Sequence, residues 1–485
     1  MSKFQSLQSY ETSLEAGYRL LPIRFSRLSD DEYVLTNLVG EYSLLPRSAL
    51  EKFVRHKLDP HSDIYQELKS KHFLLDDDSN VALDLLSLKW RTKLSRLADF
   101  TGLHMFVVSL RCEHSCPYCQ VSRQSENRDK YDMSTEVADK ALDLVFRSPS
   151  PAIKIEFQGG EPLLNFETVR YVVERAEEMN REAARDLAFV IATNLALITD
   201  EILAFCREHD VLISTSLDGP EHIHNKNRPR PGNDSYCRTI DGIKRARDTL
   251  GYDRVSALMT TTEISLTRPT EIIDEYIRQD FNSIFLRPLS PYGFAIKTKW
   301  YGAYNAKRWL EFYFEGLDYI IKVNKNGYLF IEQFAATILS KMLTPFEPGY
   351  VDLMSPSGIG VGAVVYNYDG DVYASDEGRM LAEMGSDKFR LGNVISDSYE
   401  EIFLSDALLD PLEESFADSV PMCNECAFQT YCGSDPVFHF ATQGDYVGHK
   451  PSSEFCIRNM AIFKHLIELM KDAETKRILQ SWVSH

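Results

Sequence analysis

The stretch "HMFVVSLRCEHSCPYCQ", residues 104–120, joins an apolar run typical of a strand to three closely spaced cysteines. Cys112, Cys116 and Cys119 are separated by three and then two residues. A structural zinc site usually has four ligands, and disulfides need an even number of cysteines. Three thiols together therefore predict a metal centre that keeps one coordination position open, as catalytic metal sites do.

Five further apolar runs of strand length follow, and helical patterns separate them. They are "AIKIEF" (152–157), "LAFVIAT" (187–193), "VLISTSL" (211–217), "VSALMTT" (255–261) and "SIFLRPL" (283–289). Alternating strands and helices predict βαβ units, and so an α/β fold with a parallel sheet. Six units predict an open, partial (β/α)6 barrel. The cysteines follow the first strand and "QGGEP" follows the second, at the strand ends where barrel active sites form.

The patterns on either side of the barrel predict smaller units. Short strands turning at Gly40 and two amphipathic helices after them predict a winged-helix-like α+β unit. Two helices broken at Asn326-Gly327 and a hairpin turning at Asp369-Gly370 follow the barrel, and an amphipathic helix is expected over 457–479. We predict a winged-helix-like domain at 1–98, the barrel at 99–300, a helical bridge at 301–344, a cysteine-bearing extension at 345–460 and a closing helix at 461–485.

Composition narrows the class of protein. The 485 residues carry a formal net charge of −19, which disfavours broad binding to nucleic acid or to an anionic membrane. The sequence contains no run of about twenty apolar residues, so no membrane span is predicted. It also lacks a secretory signal pattern, so we expect a cytoplasmic protein. Disulfides are then disfavoured, and seven of the nine cysteines fall in two regions, which favours metal binding.

The spacing of Cys112, Cys116 and Cys119 resembles the defining motif of the radical S-adenosylmethionine (SAM) superfamily. The resemblance implies a [4Fe–4S] cluster held by these three thiolates, with SAM bound to the fourth iron. It further implies reductive cleavage of SAM to a 5′-deoxyadenosyl radical, with an external electron donor such as flavodoxin or ferredoxin. A redox or zinc knuckle that happens to share the spacing is the alternative.

The same resemblance extends to residues that would contact SAM. Tyr118 takes the aromatic position that lies against the adenine in the family. In "FQGGEPLLN" (157–165), Gly159 and Gly160 would let the backbone approach the ligand without a Cβ in the way. Glu161 is expected to accept hydrogen bonds from the SAM ammonium group.

"SLDGP" (216–220) is similar to the stretch that follows the same strand in anaerobic sulfatase-maturating enzymes. This similarity implies that Gln158 and Ser216 contact SAM. Arg228, in "NRP", is placed nearby, where it would pair with the SAM carboxylate. A solvated loop arginine is the alternative for Arg228.

"CNECAFQTYC" and a later cysteine form a second group, made up of Cys423, Cys426, Cys432 and Cys456. Four thiols fit a closed site, and spacing by itself leaves both zinc and an iron–sulfur cluster open. The region resembles the SPASM extension of radical SAM peptide maturases, in which seven cysteines hold two auxiliary clusters. Ser357, Ser375 and Pro436 replace the three cysteines of the inner cluster. The resemblance therefore predicts one auxiliary [4Fe–4S] cluster, held by the four cysteines that remain.

Three further residues carry separate expectations. Asp376 matches by position an acidic residue proposed as a proton acceptor in sulfatase-maturating relatives, and an acid exposed to water at the hairpin end is the alternative. Cys206 and Cys237 are each expected to be buried packing residues rather than metal ligands.

At the level of the whole chain, segments such as "YRLLPIRF" and "LRPLSPYGFA" resemble the His-Xaa-Ser system radical SAM maturases. The resemblance implies modification of a ribosomally made precursor peptide with His-Xaa-Ser repeats, and a second radical SAM protein as a partner. The N-terminal unit would recognise the precursor by β-strand addition, or else cap the barrel. Two other functions stay open, namely a radical SAM enzyme for a small metabolite and a non-catalytic iron–sulfur or zinc protein that binds a peptide.

Overall fold

The centre of the molecule is an eight-stranded sheet, seen in a computed structural model that describes residues 17–76, 81–297 and 304–483. Five neighbouring parallel strands come from the predicted barrel. They are β6 (Leu103–Ser109), β7 (Ala152–Gly159), β8 (Asp186–Thr193), β9 (Leu212–Ser216) and β10 (Val255–Leu258). Phe106, Phe157, Ile191, Ile213 and Val255 align in register across them and are all buried. Strands covered on both faces need such apolar runs, which is why the sequence pattern identified them.

Helices cover the outside of this sheet. They are α4 (Arg128–Tyr131), α5 (Thr135–Val145), α6 (Phe166–Ala183), α7 (Asp200–Glu208), α8 (Glu221–Asn227), α9 (Ser235–Leu250), α10 (Pro269–Arg278) and α11 (Phe294–Lys297). Ser134 and Thr199 accept hydrogen bonds from the backbone N–H groups of Val137 and Ile202, which confirms both predicted N-caps. The α/β class and the parallel sheet of the prediction are therefore confirmed.

The sixth predicted barrel strand, at 283–289, is largely absent. β11 (Ser283–Ile284) is its only strand part, and it pairs with β12 (Ile331–Glu332) instead of joining the large sheet. The Leu286 N–H donates to the Glu332 carboxylate, and Pro288 has no N–H, so two ladder bonds cannot form. A sixth parallel strand comes from the C-terminal region, where β13 (Ala363–Tyr366) pairs with β6 at the opposite side of the barrel.

The N-terminal region forms an α+β unit with a separate core, of which residues 1–16 lie outside the described chain. Its elements are β1 (Arg19–Leu20), β2 (Ile23–Arg27), β3 (Glu32–Asn37), β4 (Tyr42–Pro46), α1 (Arg47–Val54), α2 (Asp63–Ser70), β5 (Leu74–Leu75) and α3 (Val81–Lys93). β2, β3 and β4 make an antiparallel sheet in that order. Leu35, Phe53 and Leu68 lie in its core. The strands followed by α1 and α2 match the predicted order, whereas β5 and α3 were not predicted.

This N-terminal unit packs on the cysteine-bearing C-terminal segment. The Thr36 hydroxyl donates to the Ala427 carbonyl at 2.6 Å, and the Tyr431 hydroxyl donates to the Gly40 carbonyl at 2.6 Å. Arg24 adds a bond from Nε to the carbonyl of Asn424 at 2.7 Å. The N-terminal unit is therefore attached to the C-terminal region next to the second cysteine group.

The C-terminal third consists of helices around a three-stranded continuation of the sheet. Its remaining elements are α12 (Ala306–Lys325), α13 (Gln333–Leu343), β14 (Asp371–Tyr373), α14 (Asp376–Ala382), β15 (Arg390–Asn393), α15 (Tyr399–Phe403), α16 (Asp406–Glu414), α17 (Pro436–Gln443), α18 (Glu454–Leu469) and α19 (Ala473–Ser481). The predicted hairpin is present as β13 and β14. Along the described ranges we find no helix with both the length and the apolar character needed to cross a bilayer.

The single closing helix predicted over 457–479 is wrong, because two helices occupy this part of the chain. α18 ends at Leu469, and Asp472 starts α19 by accepting a hydrogen bond from the Thr475 N–H. Aspartate favours such a capping position over a helix interior. The predicted domain boundary between residues 460 and 461 falls inside α18, so it does not separate two structural units.

Candidate active site

The three cysteines after β6 line one cavity at the carboxyl ends of the barrel strands. The cavity has a volume of about 200 Å³. It is also lined by other residues that the sequence singled out, namely Tyr118, Gln158, Gly159, Gly160, Ser216 and Arg228. The structure thus brings together the predicted cysteine triad and six of the seven predicted SAM-contacting residues.

The three thiols surround a space and do not converge on a single point. Burial raises the pKa of the Cys116 thiol to about 12 and that of Cys112 well above its usual value, so both thiols carry a proton until a metal displaces it. Sulfur ligands of one zinc ion would lie within ~4 Å of each other, given Zn–S bonds of about 2.3 Å. Within the described ranges these three sulfurs do not all come within 4.8 Å of one another. The arrangement therefore favours a multi-iron cluster, in which each thiolate binds a different iron.

The Gly159-Gly160 turn brings two backbone segments into close contact. A Cβ on Gly159 would lie 2.0 Å from the Ser109 carbonyl oxygen, and one on Gly160 would lie 2.2 Å from that of Arg111. Gly159 also has a φ of +134°, which disfavours any other residue. We expected these glycines to make room for a ligand. In the structure they also let the second barrel strand approach the loop that carries the cysteines.

Glu161 does not line the cavity, contrary to the predicted contact with the SAM ammonium group. Its side chain is fully buried, and one carboxylate oxygen accepts from the Leu163 N–H at 3.0 Å and from the Thr193 hydroxyl at 2.7 Å. The other oxygen accepts from the Asn194 N–H at 2.9 Å. Burial and the negative charge of Glu113 raise the pKa of Glu161 to about 8. Glu161 therefore ties the turn to the end of β8.

Arg228 is neither solvated nor free to bind a carboxylate with its whole guanidinium group, because it forms a buried pair with Asp218. Nε and one terminal nitrogen of Arg228 donate to the two Asp218 oxygens at 3.0 and 3.1 Å. The Tyr118 hydroxyl donates to the same carboxylate at 2.7 Å. Burial acts to raise the pKa of Asp218, but the charges of Arg228 and His224 and the hydrogen bonds from Arg228 and Tyr118 together outweigh it and hold the pKa below its usual value. Asp218 lies inside the "SLDGP" motif, yet sequence reasoning assigned it no role.

A second cavity, of about 370 Å³, adjoins the first, and Gln158 and Leu258 line both. Asp376 lies in its wall as the first residue of α14, and the Arg379 Nε donates to it at 3.3 Å. The alternative of an acid exposed to water is therefore wrong. The cavity also contains four acidic residues that sequence reasoning missed, which are Glu156, Asp352, Glu377 and Asp435.

Three residues replace the cysteines of the inner cluster in the resembled family, and two of them have clear local roles in the structure. The Ser375 hydroxyl caps α14 by accepting from the Gly378 N–H, and Pro436 is the first residue of α17, where its missing N–H costs nothing. Ser357 is buried. Ser375 and Pro436 therefore suit the backbone at the positions where the family has cysteines.

The second cysteine group comes together as predicted. Burial raises the pKa of Cys456 to about 11, and the charges of Cys426 and Cys423 raise it further. The pKa of Cys432 is raised by burial and then by the charges of the other three thiols, so all four lie near one another. The Asn459 side-chain amide donates to the Cys432 sulfur. Cys206 is buried as expected, whereas Cys237 is exposed, so that expectation for Cys237 was wrong.

Comparison with known proteins identifies the barrel. Residues 106–283 match the family model of the radical SAM superfamily. An uncharacterized protein of Methanothermobacter thermautotrophicus is 32% identical over 188 residues, which are 39% of this chain and 67% of that protein. This chain belongs to the radical SAM superfamily.

The radical SAM chain is also similar to proteins with assigned activities. The serine-type anaerobic sulfatase-maturating enzyme of Bacteroides thetaiotaomicron is 24% identical over 383 residues, which are 75% of this chain and 88% of that enzyme. The solved structure of native anSMEcpe with bound AdoMet and Kp18Cys peptide superimposes with a TM-score of 0.64 at 19% identity, over 78% of this chain and 99% of that one. This likeness shows that the two share a fold.

The first cavity of this radical SAM chain suits the iron–sulfur cluster and SAM that the superfamily uses. Soft thiolate ligands select iron–sulfur clusters, and the three thiols do not close around one ion. Cys112, Cys116 and Cys119 would hold the cluster. The Gly159-Gly160 backbone and the buried Tyr118 form neighbouring parts of the cavity wall, which SAM would contact.

Proposed function

We propose that this chain reductively cleaves SAM and modifies a ribosomally made peptide. The adjoining cavities carry the proposal, because a side chain held in the second cavity lies next to SAM held in the first. Such contact lets a radical pass to the substrate without meeting solvent. The similarity to a sulfatase-maturating enzyme and the peptide held by anSMEcpe support a peptide as the substrate.

The residues of the first cavity have separate roles in this proposal. A [4Fe–4S] cluster, when bound, would supply the electron for reductive cleavage of SAM. The three cysteines hold the irons, and Tyr118 supplies an apolar ring to the wall. The Asp218–Arg228 pair fixes the Tyr118 hydroxyl and so orients this ring. Gln158 and Ser216 contact SAM through their polar side chains.

Asp376 is proposed as the group that accepts a proton from the substrate after hydrogen abstraction. It lies in the wall of the second cavity, within reach of a bound side chain. The Arg379 guanidinium binds one carboxylate oxygen of Asp376, and this leaves the other oxygen to accept the proton. Asp376 therefore takes the role of positioned base.

One auxiliary [4Fe–4S] cluster is proposed for Cys423, Cys426, Cys432 and Cys456. Their mutual electrostatic influence and burial fit a closed four-ligand site. A zinc ion is the alternative, although the four sulfurs do not meet within 4.8 Å as a group in the described ranges. An external donor of the flavodoxin or ferredoxin type would supply electrons.

The N-terminal unit is proposed to recognise the precursor peptide. β2 is an edge strand of its antiparallel sheet, and an edge strand offers backbone groups to an added strand. The precursor with His-Xaa-Ser repeats and the second radical SAM partner belong to this proposal through the whole-chain resemblance. A small metabolite as substrate, or a non-catalytic peptide binder, are the competing functions.

Reconstitution under anaerobic conditions tests the proposal. The full chain with iron, sulfide, SAM and dithionite should form 5′-deoxyadenosine, and Cys112→Ser should abolish it, whereas Cys237→Ser at the exposed cysteine should not. We expect about eight irons per chain, and about four after all three triad cysteines are changed to serine. No 5′-deoxyadenosine, with or without a candidate peptide, would favour the binding protein. About twelve irons would refute the loss of the inner cluster.

A further inference from the structure

The second cavity is lined by more acidic than basic side chains. Five carboxylates line it, from Glu156, Asp352, Asp376, Glu377 and Asp435. Two guanidinium groups, those of Arg287 and Arg458, face them. Even with Arg379 bound to Asp376 from outside the cavity, the carboxylates remain in the majority. Carboxylates crowded into a poorly solvated space repel one another, so a cation that entered would be stabilised by them.

Glu156 is the carboxylate of this group that is best placed to meet such a cation. It lies in the middle of β7, in register with Met105 on β6 and Val190 on β8. Across the described ranges its carboxylate has no hydrogen-bond or ion-pair partner, although it lines the cavity. The Glu156 side chain is half-buried, so its carboxylate is reached from the cavity and can pair with a cationic group that enters.

The remaining walls are aromatic and supply a second kind of contact. Phe285, Trp309, Phe334 and Tyr350 belong to these walls. Aromatic faces attract cations and pack against the aliphatic stems of long side chains. The Trp309 side chain is buried, and its indole N–H has no acceptor among the described residues. A peptide carbonyl would provide one.

A metal ion does not explain these carboxylates. A single divalent cation needs several ligand oxygens that converge on one point. Among the described residues, no three of the five acids bring their carboxylate oxygens within 4.8 Å of one another. The charges are instead distributed around a space of about 370 Å³, which fits an organic side chain.

We propose that the second cavity selects a cationic side chain of the substrate peptide, lysine, arginine or protonated histidine, with Glu156 as its direct partner. This rests on the proposed function, since it names the substrate class of the same site. The carboxylates of Glu156 and Glu377 bind the cationic head, and the aromatic walls hold its stem. Trp309 donates to a backbone carbonyl of the peptide.

The test measures binding separately from catalysis. The anaerobically reconstituted full chain with SAM is titrated calorimetrically with five acetylated, amidated pentapeptides of glycine. The central residue of each is lysine, arginine, histidine, norleucine or glutamate. We expect at least one cationic peptide to bind about tenfold or more tightly than the norleucine peptide. Glu156→Gln should remove most of this difference, and Glu182→Gln, at an exposed residue of α6, should preserve it.

Thermal unfolding and SAM binding of Glu156→Gln must match the unchanged chain, and Glu377→Gln serves as a second variant if they do not. Equal affinity for cationic and norleucine peptides would overturn the inference, as would a preference that survives both substitutions, or no binding by any peptide. The formation of 5′-deoxyadenosine is recorded in the same samples. An active enzyme without charge preference refutes this inference and leaves the proposed function intact.

Discussion

Asp376 and Glu377 open α14 side by side in the wall of the second cavity, but they are in different electrostatic situations. Arg379 pairs with Asp376 at 3.3 Å, whereas no cation is recorded within ion-pair distance of Glu377 in the described chain. Burial, followed by the charges of Asp352 and Asp376, raises the pKa of Glu377 to about 7. A carboxyl group whose pKa is raised in this way suits the role of an acid near neutral pH.

Asp376→Asn should abolish the modified product and leave 5′-deoxyadenosine formation within about twofold, because the amide cannot accept the proton. Asp143→Asn, at an exposed residue of α5, is the matched control and should change neither quantity. Mass spectrometry of the peptide and chromatography of the nucleoside separate the two readouts. A product yield that is unchanged in Asp376→Asn would exclude the role as base.

Glu377 should make stability depend on pH in a defined direction. Its pKa is raised from 4.5 to about 7, so the folded chain holds a proton that the unfolded chain releases in this window. The stabilisation is complete below pH 4.5 and is lost as the pH rises through 7, and it amounts to at most about 3 kcal/mol. Urea unfolding from pH 5.5 to 7.5 should show a shallower decline in Glu377→Gln than in Glu182→Gln. An equal decline of stability with pH in the two variants would contradict the raised pKa of Glu377.

Gly160→Ala should destabilise the fold and release iron. The added methyl group would lie 2.2 Å from the Arg111 carbonyl oxygen and push the cysteine loop away from β7. Overpacking of this kind costs about 1–3 kcal/mol. Gly102→Ala, where the nearest atom is 3.5 Å away, is the control and should behave as the unchanged chain. Normal iron content and an unchanged unfolding midpoint in Gly160→Ala would show that the turn can relax.

Among the elements, α14 links the C-terminal hairpin to the active site. Ser375 caps it, and its next two residues are the acids of the cavity wall. Ser375→Ala should cost about 1 kcal/mol, as should Ser134→Ala at the cap of α5. Product formation should fall only in Ser375→Ala, because its helix carries Asp376. A similar fall in both variants would point to general destabilisation instead.

At the scale of the whole molecule, the N-terminal unit covers the second cysteine group through Thr36, Gly40 and Arg24. Deletion of residues 1–95 should therefore lower the iron content to about four per chain as well as abolish precursor binding, because both the proposed auxiliary site and the edge strand are affected. Dithionite-dependent cleavage of SAM should persist. A truncated chain with a full iron complement would show that the contact does not support the cluster.

Local patterns determined much of the fold. The apolar runs gave five barrel strands because strands buried on both faces leave a continuous signal, and the hairpin at Gly370 followed from its Asp-Gly turn. The sixth strand predicted at 283–289 is largely absent, because the Leu286 N–H donates to the side chain of Glu332, 46 residues further along the chain. A side chain that competes with a neighbouring strand for a backbone N–H does not change the hydrophobic pattern of the sequence.

The sequence by itself determined the cysteine triad, the glycine turn that follows one strand later, and the four cysteines near the C-terminus. Their chemistry depends on residue type and on short spacing along the chain, and both can be read directly from the sequence. The burial of Glu161, the pairing of Asp218 with Arg228 and the meeting of Glu156 with Asp435 in one cavity were decided only by the tertiary structure. These contacts join segments tens to hundreds of residues apart, and packing of the whole chain fixes which of them meet.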